Sequence, residues 1–252
     1  MITIVEYLLS KDRRRRQNTI KVSDKTIVSV VLHEIERLGV DADLNHIDVS
    51  EVTDFSEIFY RTDFCGDVSE WDVRNAKDMI YMFGECKNFN CDIGNWYMPS
   101  IENMSCMFWG CSTFDQDLSS WNTSSVTRMA NMFDGCEKFN GDISTWKTGK
   151  VLEMAAMFRD CKEFNSDLSK WDVSSCNDMS EMFKNCYKFN QPIGDWDVRK
   201  VSHMGRMFYD CSIFDQDLSR WNVKNVKYDY SQIFQRCPIK EEHKPKFIKI
   251  NF

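Results

Sequence analysis

Apolar positions recur along this chain on two scales. Locally they fall three or four apart, as in MFDGCEKFNGDISTW over 132–146, where Phe133, Cys136, Phe139, Ile143 and Trp146 suit one side of an amphipathic element. Over a longer range the same set returns every 25 residues: Trp71, Trp96, Trp121, Trp146, Trp171, Trp196 and Trp221 keep that step without a slip. Six Cys (Cys86, Cys111, Cys136, Cys161, Cys186, Cys211) and six Phe (Phe89, Phe114, Phe139, Phe164, Phe189, Phe214) keep it too, as do Met pairs such as Met79 and Met82 or Met204 and Met207, each followed at once by Phe. The consensus reads W-x-V-x-x-V-x-x-M-x-x-M-F-x-x-C-x-x-F-[ND]-x-D-[IL]-x-x-W. An isolated helix has no reason to repeat its aromatic residues at one long period, whereas a stack of coils must set equivalent residues above one another.

Within each coil, M-x-x-M-F-x-x-C is apolar at spacings of three and four and predicts one or two helical turns with Met and Phe inward. F-[ND]-x-D-[IL] predicts a short strand with its turn, and W-x-V-x-x-V a second short extended piece. Counting back 24 residues gives a degenerate first coil, in which Ile47, Val49, Val52, Phe55, Ile58 and Phe59 replace the consensus residues. A last coil gains one residue and closes on Ile233, Phe234 and Cys237. With backbones ~4.8 Å apart, about eight coils make a rod on the order of 35 to 40 Å long. Burying one coil's large apolar side chains contributes roughly 1.5 to 3 kcal/mol each, while ordering each residue costs about 1 to 2 kcal/mol, so stability must come from the interfaces between coils.

An uncovered end would expose core and backbone edges. SDKTIVSVVLHEIERLG (23–39) predicts a capping helix with Ser23 or Asp24 as N-cap, Ile27, Val31, Ile35 and Leu38 on the inner face, and Gly39 as its stop. PIKEEHKPKFIKINF, broken by Pro238 and Pro245, reads as an edge strand or a loose tail, and the segment before residue 20 as a short helix and charged linker. The expected division is 1–45 for the N-terminal segment and capping helix, 46–237 for the repeats and 238–252 for a C-terminal tail or cap.

Repeated with its neighbours, the run VTRMANMFDGCEKFNGDISTW resembles the 25-residue repeat of BspA-like proteins, the DUF285 or Mycoplasma lipoprotein type, over about residues 45 to 237. The resemblance implies an α/β solenoid, a right-handed stack of leucine-rich-repeat-like coils with a sheet on one face. In many relatives it implies a surface protein engaged in attachment or recognition.

Composition narrows the functional classes. A formal charge of −7 and a pI near 5.2 argue against general affinity for nucleic acid or anionic lipid. No apolar run approaches the roughly 20 residues that span a bilayer. The N-terminal MITIVEYLLSKDRRRR places its basic cluster after the apolar stretch, unlike a secretory signal, which predicts a cytoplasmic location with the eleven Cys as reduced thiols. The family resemblance points instead to the cell surface.

The Cys file supplies single thiols one above another, without the C-x-x-C pairs or His partners of zinc sites, and reads as packing. The Asp file (Asp92, Asp117, Asp142, Asp167, Asp217) raises the question of an acidic site like those of polysaccharide lyases or calcium-binding coils. Identical surroundings, however, do not create the contrasting pKa values of a catalytic pair, so these Asp and the Asn/Asp file before them read as turn formers. His33, His46, His203 and His243 occur singly, and Arg13–Arg16 reads as a solvated linker. Neither an enzyme nor a cofactor is expected.

Positions that vary from coil to coil are free of core duty. The file after M-x-x-M-F runs Gly84, Trp109, Asp134, Arg159, Lys184, Tyr209, and Trp109 alone among the eight Trp leaves the core register. Three residues earlier stand Tyr81, Glu181 and Arg206, which helical spacing would set on the same side. Trp109, Tyr209, Arg159, Lys184, Tyr81 and Arg206 are therefore the candidate contact residues for another protein; Trp109 has the alternative of merely packing on an adjacent turn. A carbohydrate-binding or carbohydrate-active coil stack and a structural spacer in a larger assembly or virus particle are the competing readings.

Overall fold

A computed structural model describes residues 19–226 and 230–247. Its regular elements are few: strand β1 (Ile20–Lys21), helix α1 (Ile27–Leu38), strand β2 (Ile47–Asp48), and 3-10 turns at Tyr230–Gln232 and Glu241–His243. The rest is a succession of turns whose repeats bond to one another. Single parallel bridges step from Asp54 to Asp78, Asn103, Arg128, Glu153, Asp178 and His203, one coil at a time.

The M-x-x-M-F-x-x-C segment is not the helix its spacing predicts. Met82, Gly84 and Cys86 donate N–H to Met79, Tyr81 and Phe83 three residues back, while the intervening Met79, Tyr81, Phe83 and Glu85 donate to Asn103, Ser105, Met107 and Trp109 of the next coil. Alternate amides thus serve the turn and the stack. Tyr81 and Glu85 sit at φ +52° and +64°, the third-residue geometry of a type II turn, and their counterparts in later coils repeat it. Neighbouring coils compete successfully for amides that a helix would need. W-x-V-x-x-V is likewise a turn rather than an extended piece, as Ala76 donates to Val73 O and Val126 to Thr123 O.

F-[ND]-x-D-[IL] is ordered by side chains rather than by a strand. Each Asp accepts the N–H two residues on (Asp117 from Ser119 at 2.8 Å, Asp167 from Ser169 at 2.8 Å). Each Asn or Asp of the preceding file accepts the N–H of its own counterpart one coil later, from Asn90 through Asp115, Asn140, Asn165 and Asn190 to Asp215. Pro192, where the Asp file is interrupted, lies exposed.

The core consists of vertical files. Phe59, Phe83, Phe108, Phe133, Phe158, Phe183, Phe208 and Phe234 stack with ring centroids 5.2 to 5.8 Å apart. Each core Trp donates its indole N–H to a carbonyl of the preceding coil, as Trp146 does to Leu118 O at 3.0 Å. Each thiol of the Cys file does the same, as Cys161 does to Phe133 O at 3.0 Å. The degenerate first coil joins these files, with Ile47, Val49, Val52, Phe55, Ile58 and Phe59 all buried.

At the N-terminal end β1 pairs in parallel with β2, and α1 buries Ile27, Val31 and Glu34. Ile35 is half-buried and Leu38 exposed, so the inner face turns toward Glu34 rather than Leu38. Glu34 takes that place because Arg37 and His46 hydrogen-bond its carboxylate, with His46 Nε2 at 2.9 Å. Neither Ser23 nor Asp24 caps the helix, whose N-cap residue is Thr26. Asp24 instead accepts the backbone N–H groups of Thr53 and Asp54 at 2.7 and 3.1 Å, tying the cap to the first coil. Gly39 ends α1 at φ +103°. Bonding between coils exceeds the expected limits of 46 and 237: Cys65 N–H reaches Val40 O, and Leu218 N–H reaches His243 O. The segment 238–247 bonds to the last coils, with His243 O accepting Leu218 N–H and Lys240 N–H reaching the Asp215 carboxylate. Residues 1–18, including Arg13–Arg16, lie outside the described residues.

Candidate functional site

The Cys, Asp and Asn/Asp files make hydrogen bonds within and between coils. Among the described residues no buried side-chain nitrogen or oxygen lacks a hydrogen-bond partner, and no three His, Cys, Asp or Glu converge as a metal site would require. Burial pushes the thiols of Cys111, Cys136, Cys161, Cys186 and Cys211 far up, which keeps them protonated and inert. Among the singly occurring His, His46 is tied to Glu34, and His243 Nδ1 lies 2.8 Å from Asp215 Oδ1.

Five of the six candidate contact residues fall into two groups along one lateral strip, with Tyr209 at its far end. At its N-terminal part the Tyr81 ring meets Trp109 edge-on at 5.8 Å and Tyr60 at 5.0 Å, with the Arg61 guanidinium 5.0 Å from the Tyr60 ring centre. Trp109 does pack on a neighbouring turn, yet it stays half-buried rather than enclosed. The Cys106 thiol beside the Tyr81 hydroxyl, together with burial, pushes the phenol up to about 12.

Farther along, charges replace rings. Arg159 Nε donates to Asp134 Oδ1 at 2.9 Å, and its terminal nitrogens reach Asp134 Oδ2 and Glu181 Oε2, the latter at 3.0 Å. Lys184 Nζ lies 3.1 Å from the same Glu181 oxygen, and Arg206 lies 3.6 Å from the other. Arg206 Nε also donates to Gln232 at 2.6 Å. Burial pushes the Asp134 carboxyl up against the pull of Arg159. Burial pushes Glu181 the same way, but Arg159 and Lys184 together outweigh it and leave this carboxyl lowered. Tyr209 lies beyond this network, near Arg236, whose guanidinium Tyr209 and Asp210 together hold above its ordinary range.

The predicted set therefore shares one strip, though through chained turns rather than a helix face. Tyr60, Arg61 and Gln232 belong to it and were missed. Their only sequence signal is the repeat register carried into the degenerate first and lengthened last coils.

Stacked files of like residues, bonded one coil to the next, define a repeat protein. The chain belongs to the family described as Mycoplasma protein of unknown function, DUF285, whose model matches twice with overlap, over residues 29–146 and 128–246. No curated protein matches the chain. No solved structure matches it either. No helix among the described residues is long and apolar enough to cross a membrane.

Proposed function

We propose that the coils form a right-handed, leucine-rich-repeat-like solenoid acting as a non-enzymatic protein-recognition module. The partner is another protein, bound along the strip from Tyr60 to Tyr209. One observation carries this reading. Two files in each coil hold the left-handed backbone conformation, which costs ordinary residues about 1 to 2 kcal/mol. One of them, at 85, 110, 135, 160, 185 and 210, uses Glu, Gly, Gly, Asp, Asn and Asp, mostly residues that suit it. The other, at 81, 106, 131, 156, 181 and 206, uses Tyr, Cys, Asn, Ala, Glu and Arg. Tyr81, Glu181 and Arg206 keep large side chains in a strained conformation at the strip, where Gly would relieve the strain, and this is best accounted for by what those side chains contact.

Aromatic anchors beside a network of Arg, Lys and carboxylates suit a protein surface, where half-buried rings and Arg dominate binding energy. Proximity labelling in the native host tests this, comparing the parent with Trp109→Ala and Arg206→Glu proteins. The expected result is one or more proteins labelled by the parent and lost from both variants. An unchanged labelled set, with both variants folded, would refute it, and selective binding on a glycan array would support the carbohydrate reading instead.

A further inference from the structure

The two ends of the stack are finished differently. Inside it, Phe183 and Asn185 donate N–H to Met207 O and Tyr209 O, both at 2.9 Å, and Phe208, between those two acceptors, lays its ring on Phe183 at 5.6 Å. One coil later Phe208 and Asp210 donate to Ile233 O and Gln235 O at 2.9 Å, and Phe234 stacks on Phe208 at 5.5 Å. At the first coil the cap, with α1 and the Asp24 bonds to Thr53 and Asp54, covers the end. At the last coil Ile233, Gln235 and Cys237 make their turn bonds to Tyr230, Gln232 and Phe234, but the N–H groups of Phe234 and Arg236 have no partner among the described residues. They stand in the register that, in every earlier coil, is met by two carbonyls flanking an aromatic residue. Beside them opens a cleft of about 570 Å³ lined by Tyr230, Phe234, Pro245 and Phe247 among others, with Phe234 half-buried.

We propose that this C-terminal edge takes up a short peptide from another chain by backbone addition, in the turn conformation that residues 206–210 adopt in the coil before it. The occupant is a tripeptide stretch with an aromatic residue at its centre. Its first and third carbonyls accept the N–H groups of Phe234 and Arg236, and its ring continues the Phe file on Phe234. A second copy of this chain does not fit. Two C-terminal edges would set donors against donors, and the N-terminal end of a copy is closed by its own cap. The cleft rim carries Glu241 and Glu242 against Lys244 and Lys246, so backbone pairing and ring stacking, rather than net charge, select the occupant. This surface lies at the end of the stack, and the proposal does not rest on the lateral strip.

The probe is a fluorescein-labelled peptide Arg-Met-Phe-Tyr-Asp, the sequence of residues 206–210, titrated against the full chain by anisotropy and by amide hydrogen exchange. The expected result is saturable binding that slows exchange at Phe234 and Arg236 by about tenfold or more. Replacing the peptide's Phe by Ala, or the protein's Phe234 by Leu, should weaken binding by about tenfold, whereas Arg220→Ala, at an exposed side chain outside the cleft, should not. The peptide's Phe→Ala change, which leaves the protein intact, keeps the test valid should Phe234→Leu fail to fold. Absence of binding, or binding indifferent to the peptide's Phe, overturns the proposal. Amides already protected in the free monomer and released when residues 248–252 become Gly-Ser would make the chain's own end the occupant, and amides protected only alongside dimers in sedimentation would make it a second copy. Either result also overturns it.

Discussion

Replacing Trp146 by Phe separates a core indole from an outer one. Trp146 lies between Trp121 and Trp171, with ring centroids 6.1 and 6.0 Å away and planes nearly parallel, and its Nε1–H reaches Leu118 O at 3.0 Å. Phe removes that donor, and a typical hydrogen bond contributes about 0.5 to 1.5 kcal/mol net. The full cost of an orphaned carbonyl does not arise, because Leu118 O also accepts the N–H of Trp121 at 3.1 Å. The lost ring area and the void left between two fixed indoles add roughly 1 to 2 kcal/mol, for a total of about 1.5 to 3.5 kcal/mol. Trp109→Phe removes an indole of similar size at a half-buried position, where edge contact with Tyr81 survives in part, and should cost under about 1 kcal/mol. Urea unfolding followed by circular dichroism measures both, read from midpoints at unchanged slope. If Trp109→Phe destabilises as much as Trp146→Phe, the division between inner files and outer strip is wrong.

The thiols of the Cys file should resist a water-soluble disulfide reagent in the native protein and react only at the rate of unfolding, as mass spectrometry of labelled peptides would show; prompt native labelling of Cys136 or Cys161 contradicts their burial. Arg159→Leu leaves Asp134 buried without its cation and should cost about 2 to 4 kcal/mol, while the Asp134→Leu, Arg159→Leu double variant should recover much of that loss in a double-mutant cycle. Arg199 beside Asp197 lowers that carboxyl to about 2, and Asp67, Glu181 and Asp217 are lowered as well. Their stabilisation is present above the ordinary carboxyl range and is lost as pH falls from about 4 toward about 2, so melting temperatures should drop through that window. Asp134, whose carboxyl is raised, acts in the opposite sense and in a higher window, its contribution growing as pH falls through its raised value toward about 4. Asn165→Asp should be tolerated within about 0.5 kcal/mol in urea unfolding, since the same file already holds Asp115 and Asp215 in the same bonding role; Asn165→Ala, which leaves Asn190 N–H to water, should cost more.

Much of the stack was legible because its period is a property of the chain. Trp71 to Trp221 and Cys86 to Cys211 announce their files without any knowledge of backbone geometry, and residues at equal chain distance within equal coils have to coincide in space. Local conformation was not legible in the same way. Spacings of three and four belong to helices, but also to chained turns whose apolar corners face one core, and Met79-Ile80-Tyr81-Met82 satisfies both. The deciding energy is non-local: Tyr81 N–H finds Ser105 O one coil away, and no window of sequence displays that carbonyl.

The capping helix shows the same divide. Its existence and its stop at Gly39 followed from the pattern, whereas the burial of Glu34 depended on His46 and the task of Asp24 on Thr53, partners 12 and 29 residues away in sequence. Among the contact candidates, variation between coils marked the strip, and the structure sorted it into rings around Tyr81 and charges around Glu181. Periodicity alone dictated which residues stack and which face outward, because a fixed step along the chain translates directly into vertical alignment. The shape of each coil, the pairing of buried charges and the open edge at Phe234 and Arg236 came from the folded arrangement, because they depend on which hydrogen-bonding groups a neighbouring coil brings within reach.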